Sequence, residues 1–282
     1  MSTTFLKSRL KGALYGLAVG DALGVRKGCQ PMPPGTWTDD TNTALCLAEF
    51  LNENGVLIWE DVAKKLFSWY EMDIYLLLVI ASTSAMRGEK LSRSTQTLFD
   101  EMRNLHSLVP AIRFHGETVL SCASLRLTTA QLLGFFAGTE SSSIEERKKQ
   151  VLDPQYVPEG VNVEELNFVT QEAKALRAGT WKTKSANQIK TSGFVIHSHE
   201  AALWALWNST IFEEGMLLLL PLGFDVDTVC AIHGQLAGAL YGIESIPDKW
   251  LHALQRKDIL EKTFDTLVDR ALLSSAKRRY GM

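Results

Sequence analysis

Two acidic clusters carry the clearest chemical signal in the chain: Thr38-Asp39-Asp40-Thr41 towards one end and Asp225-Val226-Asp227-Thr228 towards the other. Each sets two carboxylates beside hydroxyls where an apolar helical period begins. Carboxylates gathered from both clusters would repel one another strongly unless cations sat between them, and carboxylate and hydroxyl oxygens suit a hard divalent ion. Magnesium, or manganese, is the expected ion. Zinc is disfavoured, because His197-Ser198-His199 is the only tight histidine pair and has no Cys or Glu at a recognised ligand spacing. Taken singly, either cluster has a simpler reading. Asp and Thr are preferred N-caps, and acids in a first turn complement the helix dipole, so capping alone would account for one of them.

The elements that must position these clusters show a second pattern. Gly12, Gly16, Gly20 and Gly24 recur every four residues, as do Gly234, Gly238 and Gly242. Residues four apart share a helix face, so each terminal helix offers a strip without side chains along which another backbone can come close. A glycine inside a helix costs about 1 kcal/mol relative to alanine, so such strips call for tight packing or a nearby ligand. Close helix contact is one reading. The other is that the helices converge on one pocket, bringing Asp21, Asp39, Asp40, Asp225 and Asp227 to a common rim.

The dominant period along the chain is helical. It runs from Leu6 through Leu17 and from Val229 through Leu240, and it also fits Thr41 to Leu51, Trp59 to Tyr70, Thr95 to Leu105 and Val119 to Phe136. Glu164 to Arg177, His199 to Trp207 and Asp258 to Leu273 follow the same spacing, whereas Gly193 to His197 is the one modest strand candidate. The expectation is a single compact all-α, multi-helix domain over residues 1–282. Lys27 to Trp37 and Asp153 to Gly160 read as irregular segments, too short for domain linkers.

A hydrophobic content of 46% supplies a core, and a net charge of -3 without basic runs argues against nucleic-acid or membrane-surface binding. The four cysteines are spread without Cys-x-x-Cys pairing, and no signal-peptide succession opens the chain, which reads as a reduced, cytoplasmic protein. Ile74 to Ala81 and Met216 to Leu222 fall well short of the ~20 residues of a membrane span and read as core. A monomer with small molecules or other proteins as partners is expected.

Several stretches together resemble the ADP-ribosylglycohydrolase family. They are Gly12 to Gly24 with its Gly-Asp-Ala-Leu-Gly ending, Pro34-Gly35-Thr36-Trp37-Thr38-Asp39-Asp40-Thr41, Gly223-Phe224-Asp225-Val226-Asp227-Thr228, and Ala237 to Gly242. Ser192-Gly193-Phe194-Val195 with Glu200 to Trp204 adds to the likeness, which covers the first 55 residues and about Thr191 to Trp250. The resemblance implies an all-α fold with two magnesium ions in a cleft, held by Thr38, Asp39, Asp40, Asp225, Asp227 and Thr228. It implies hydrolysis of a glycosidic bond to ADP-ribose, with Asp39 or Asp40 as the base that takes a proton from water. Asp21, Ser192, Gly193 and Phe194 would lie on the substrate-binding side.

The chain departs from the family pattern in its middle. The glycine-asparagine-glycine loop has no clear equivalent, the nearest fragment being Gly116-Glu117-Thr118, and the Thr-His motif reads Thr129-Ala130. Val25, Arg26 and Lys27 stand where a glutamate usually follows the first motif, Phe224 replaces glycine or a small polar residue, and Val226 replaces threonine or alanine. Two function classes follow: an active hydrolase of ADP-ribosylated side chains or small acceptors, or a weak or inactive relative serving as an ADP-ribose-binding or protein-interaction module. A magnesium-dependent phosphoester hydrolase is a third, which no phosphate-cradling loop supports.

Overall fold

The computed structural model describes residues 2–25, 32–55, 115–138 and 142–280, and every regular element among them is helical. In chain order these are α1 (Thr3–Val25), α2 (Asp39–Asn54), α3 (His115–Ala137), α4 (Ile144–Val151) and α5 (Gln171–Ala178). There follow α6 (Val195–Trp207), α7 (Phe212–Leu219), α8 (Val226–Tyr241), α9 (Asp248–Ala253), α10 (Lys257–Leu260) and α11 (Thr266–Tyr280). Short 3-10 turns link several of them, and a π turn at Glu261–Asp265 joins α10 to α11.

The all-α reading holds, with two local corrections. The Gly193 to His197 alternation is no strand: Val195 opens α6, and Val195 and Ile196 are both buried as adjacent faces of a helix enclosed on most sides. The expected helix from Glu164 to Arg177 is broken. Asn162 caps a 3-10 turn at Val163–Leu166, and the chain starts again at Thr170, whose hydroxyl accepts the Ala173 N–H at 3.3 Å. Capping oxygens at both points compete with a continuous helix. The expected helices Trp59 to Tyr70 and Thr95 to Leu105, and the apolar stretch Ile74 to Ala81, lie outside the described residues.

The glycine strips face each other. α1 and α8 run antiparallel in a fixed register, and a Cβ on Gly12, Gly16 or Gly20 would fall 2.2, 2.2 and 2.0 Å from the carbonyl oxygens of Gly238, Gly234 and Cys230. At the last step a Cβ on Gly24 would fall 2.2 Å from the Cα of Asp227. Backbone meets backbone along four turns, so nothing on either side can move aside for a methyl group. Gly242 departs from the expected strip: at φ 89° it ends α8 instead of lying within it. Arg9 locks the same end, its Nη1 donating to the carbonyls of Ala239 and Leu240, where the negative end of the α8 dipole favours a cation.

Around this pair, α6 is buried along nearly its whole length, and the π turn fastens the C-terminal helices to α1 and α2. Lys11 and the Tyr15 hydroxyl donate to Asp265 at 2.8 and 3.1 Å, and Asn52 donates to the Thr263 carbonyl at 2.9 Å. α3 is tied to α6 by His199, which is fully buried and hydrogen-bonds with Ser124 at 2.8 Å and Thr128 at 3.1 Å. Burial holds this imidazole neutral, its pKa pushed down to about 3. His233, facing the core as its place on the apolar side of α8 suggested, is pushed down to about 4 by burial, while its Nδ1 donates to the Ala202 carbonyl.

Two outcomes are expected. By helix propensity Gly16→Ala and Gly234→Ala should each gain about 1 kcal/mol, but overpacking against a rigid backbone should outweigh this and cost about 3 kcal/mol, read from urea unfolding midpoints. For His199 the unfolded state binds the proton more readily than the folded one, so its contribution is intact above pH 6.5 and drains away as the pH falls towards 3. The stability of wild type relative to His199→Gln should therefore decline by up to about 1.4 kcal/mol per pH unit below pH 6.5.

Candidate active site

The last step of the glycine seam delivers the C-terminal end of α1 to the N-terminal end of α8. Asp21 sits there with no exposed surface, four residues short of the helix end. Its carboxylate accepts the Thr38 N–H at 2.9 Å, the Thr38 hydroxyl at 2.8 Å, the Thr41 N–H at 3.0 Å and the Thr41 hydroxyl at 2.6 Å. Burial raises its pKa to about 6, against the opposing pull of the hydrogen bonds from Thr41 and Thr38. Asp21 thus organises the first acidic cluster from beneath. Asp21, expected on the substrate-binding side, is buried, and its carboxylate is bonded to the Thr38–Thr41 turn.

The segment leading into that turn is held from the other side. Gly35, at φ 79°, packs so closely on the end of α9 that a Cβ there would lie 1.7 Å from the Ala253 carbonyl oxygen. Its own carbonyl accepts the Gln255 N–H at 2.9 Å, and the Trp37 indole donates to the Gln255 carbonyl at 3.0 Å. With Thr38 fixed at both ends, α2 begins with Asp39 exposed and Asp40 buried.

The Thr228 hydroxyl joins the two clusters. Thr228 Oγ1 lies 3.4 Å from Asp40 Oδ2 and 3.3 Å from Asp225 Oδ1, and one hydroxyl hydrogen can serve only one of these carboxylates at a time. Asp227 accepts the Thr228 N–H at 3.0 Å, and its backbone rests on Gly24. The first-turn acids of the capping reading are present, but its N-cap bonds are not: neither Thr38 nor Asp225, the residues at the N-cap positions, accepts a backbone N–H of its own helix. Thr38 serves Asp21 instead, and Asp225 takes part in the Thr228 bridge.

The Ser192–Phe194 segment borders the same place. A Cβ on Gly193 would lie 3.5 Å from Asp225 Oδ2, while the Ser192 hydroxyl hydrogen-bonds with His197 Nδ1 at 2.8 Å and the Phe194 ring meets His197 edge-on at 5.0 Å. Thr191, which the sequence did not single out, fixes the neighbouring turn: its hydroxyl donates to the Gly223 carbonyl at 2.8 Å and its carbonyl accepts the Asp225 N–H at 3.0 Å. At the tip of that turn Phe224 has φ 56° and is 90% exposed. A bulky side chain in the left-handed region costs roughly 1–2 kcal/mol.

As a donor set, the four carboxylates and two hydroxyls, with no nitrogen or thiolate, match magnesium or manganese. Among the described residues no three His, Cys, Asp or Glu side chains already stand grouped as a metal cage. The donor chemistry fits the ion; the side chains of Asp39 and Asp227 would have to turn towards Asp40 and Asp225 to complete a shell.

Asp21→Ala should leave two N–H and two O–H donors of the Thr38–Thr41 turn without their acceptor. A loss of at least about 3 kcal/mol in urea unfolding is expected. Asp21→Asn, which keeps one oxygen but turns an amide against these donors, should fall between that variant and wild type.

Comparison with known proteins places the chain in a family. The family model described as ADP-ribosylglycohydrolase matches residues 2–139 and 112–280. The chain is 30% identical to ADP-ribosylarginine hydrolase Tri1 of Pseudomonas putida (strain GB-1), over 93% of this chain and 78% of that protein. The Tri1 protein of Serratia proteamaculans (strain 568), with the same description, is 29% identical over 92% of this chain and 78% of its own. ADP-ribosyl-dinitrogen reductase glycohydrolase of Rhodospirillum rubrum is 25% identical over 98% and 99%. A solved structure described as an ADP-ribosylglycohydrolase-related protein complex superposes with a TM-score of 0.62 at 28% identity, covering 95% of this chain and 99% of that one. The chain belongs to the ADP-ribosylglycohydrolase family and is a glycosidic-bond hydrolase of that type.

Proposed function

We propose that this protein is a magnesium-dependent hydrolase that releases ADP-ribose from arginine side chains. The observation that carries this reading is the Thr228 hydroxyl standing between Asp40 and Asp225, which brings the two acidic clusters of the sequence into one site. The arginine acceptor is suggested by the description of the two Tri1 relatives as ADP-ribosylarginine hydrolases.

Thr38, Asp39, Asp40, Asp225, Asp227 and Thr228 would hold two magnesium ions. When bound, these supply polarisation of the ribose hydroxyls and of a water, together with charge stabilisation. The residues of the chain do the remainder. Asp21 and the Gly35–Trp37 contacts hold the Thr38–Asp40 turn still, so the carboxylates need little reorganisation when substrate enters. Asp39 or Asp40 accepts a proton from the attacking water as its oxygen bonds to the anomeric carbon. The carbon–nitrogen bond breaks, its electron pair leaves on the guanidine nitrogen, and that nitrogen takes up a proton. Gly193, without a side chain beside Asp225 Oδ2, leaves room for the ribose at the carboxylate.

The test is hydrolysis of ADP-ribosylated arginine with and without magnesium. Turnover should vanish in EDTA and return with magnesium, and Asp40→Asn should lower kcat by about a hundredfold or more with the fold intact by circular dichroism. Binding of free ADP-ribose by wild type without turnover of arginine-, serine- or O-acetyl-linked substrates would instead favour a binding module.

A further inference from the structure

We infer that Phe224 is a specificity-determining residue on the acceptor side of the cleft, its ring stacking against the guanidinium plane of the arginine being released. This rests on the hydrolase reading above and adds to it the group that recognises the acceptor.

Four observations converge on this residue. Phe224 holds φ 56° immediately after Gly223 at φ 77°, a backbone state that a bulky L-residue adopts only where its surroundings impose it. No core burial offsets that strain, because the residue is 90% exposed. Its flanking residues are bonded to Thr191 on both sides, Gly223 through its carbonyl and Asp225 through its N–H, so the ring stands on a fixed tip. Finally, Asp225 is the next residue in the chain, and its carboxylate shares the Thr228 hydroxyl with Asp40. Consecutive Cα atoms are about 3.8 Å apart, so this exposed aromatic is anchored one residue from the carboxylates at which the glycosidic bond would be held.

Two further aromatic rings flank the site: Phe194 is half-buried and engaged edge-on with His197, and Trp37 is half-buried and donates to the Gln255 carbonyl, which leaves Phe224 as the ring presented outwards at the described rim. A flat, delocalised, weakly hydrated cation is the partner an exposed ring selects best, and the guanidinium is the only such group in ADP-ribosylated arginine. The diphosphate and ribose offer neither positive charge nor a flat face, and the adenine, flat but uncharged, is the competing partner that the titration with free ADP-ribose detects. A ring facing the leaving group rather than the nucleotide should therefore discriminate among acceptors while leaving affinity for ADP-ribose itself untouched.

The experiment compares wild type, Phe224→Gly and Phe224→Tyr in steady-state hydrolysis of ADP-ribosylated arginine and in calorimetric titration with free ADP-ribose. Phe224→Gly should raise KM for the arginine substrate about three- to tenfold with kcat changed far less. Its Kd for free ADP-ribose should stay within twofold of wild type, and its Tm should be no lower, since glycine accepts positive φ. Phe224→Tyr should keep the wild-type KM. An unchanged KM in Phe224→Gly, or an equal loss of affinity for free ADP-ribose, overturns the inference, the latter by putting the ring on the nucleotide. Should wild type itself fail to cleave the arginine substrate while cleaving another linkage, the arginine reading falls and this inference with it. If wild-type turnover is present and abolished in Asp40→Asn, a failure at Phe224 leaves the hydrolase reading standing.

Discussion

The backbone-to-backbone contact between α1 and α8 is the constraint on which the rest of the molecule depends. Helices that pack through side chains usually keep their axes 8–10 Å apart and tolerate some sliding, because flexible groups fill the gap. Here carbonyl oxygens of one helix occupy the space where the other would carry Cβ atoms at Gly12, Gly16 and Gly20, and the Asp227 backbone does so at Gly24. Such a seam has one register. Any shift along it would bring a glycine gap opposite a larger residue, and a close-packed interior does not absorb that. The consequence is positional: Gly24 has to meet Asp227, and so the end of α1 has to meet the start of α8.

From that fixed corner the positioning proceeds outward in two steps. Asp21, one residue past Gly20, is carried into the interior, where an ionised carboxylate is costly unless its lone pairs are filled. The two N–H groups and two hydroxyls of Thr38 and Thr41 fill them, and in doing so bind the start of α2 to α1. Asp40 is thereby presented to Thr228 on α8. On the opposite side Thr191 holds the turn before α8, which brings Asp225 to the same hydroxyl. The two acidic clusters are far apart in sequence and meet because each is bonded to an element that the seam has already located.

Much of this was legible in the sequence because it is periodic or paired. The four-residue glycine spacing named both helices of the seam, and the duplicated Asp-x-Asp-Thr and Thr-Asp-Asp-Thr patterns named their chemical cargo. What was not legible is local competition and long-range bonding. Nothing in the apolar spacing of Glu164 to Arg177 shows that Asn162 and Thr170 will each begin a separate turn. Asp21 looked like one more acid for the rim, since sequence spacing cannot tell a carboxylate aimed at solvent from one aimed at neighbouring N–H groups. Thr191 carried no signal, because its role depends on a turn thirty-two positions away. The left-handed backbone at Phe224 was likewise hidden: the glycine before it suggests a turn, but not that the aromatic residue shares it.

Two carboxylates, Asp40 and Asp225, share one hydroxyl, an arrangement that like charges oppose, so the way the molecule sustains it bears on what the site is for. α2 and α8, each of 16 residues, carry the positive ends of their dipoles at their N-termini, and Asp39, Asp40 and Asp227 lie in those first turns. That partial charge, roughly half an elementary charge per helix, makes concentrated anions tolerable without neutralising them. A structural solution would go further and use the N-cap side chains to close the helix ends. Thr38 and Asp225 do not do so, and their oxygens are directed to Asp21 and to Thr228. A fold that holds acidic groups together while withholding the usual caps retains negative charge and oxygen lone pairs at one place. These properties suit the hard cations and the proton acceptance proposed above.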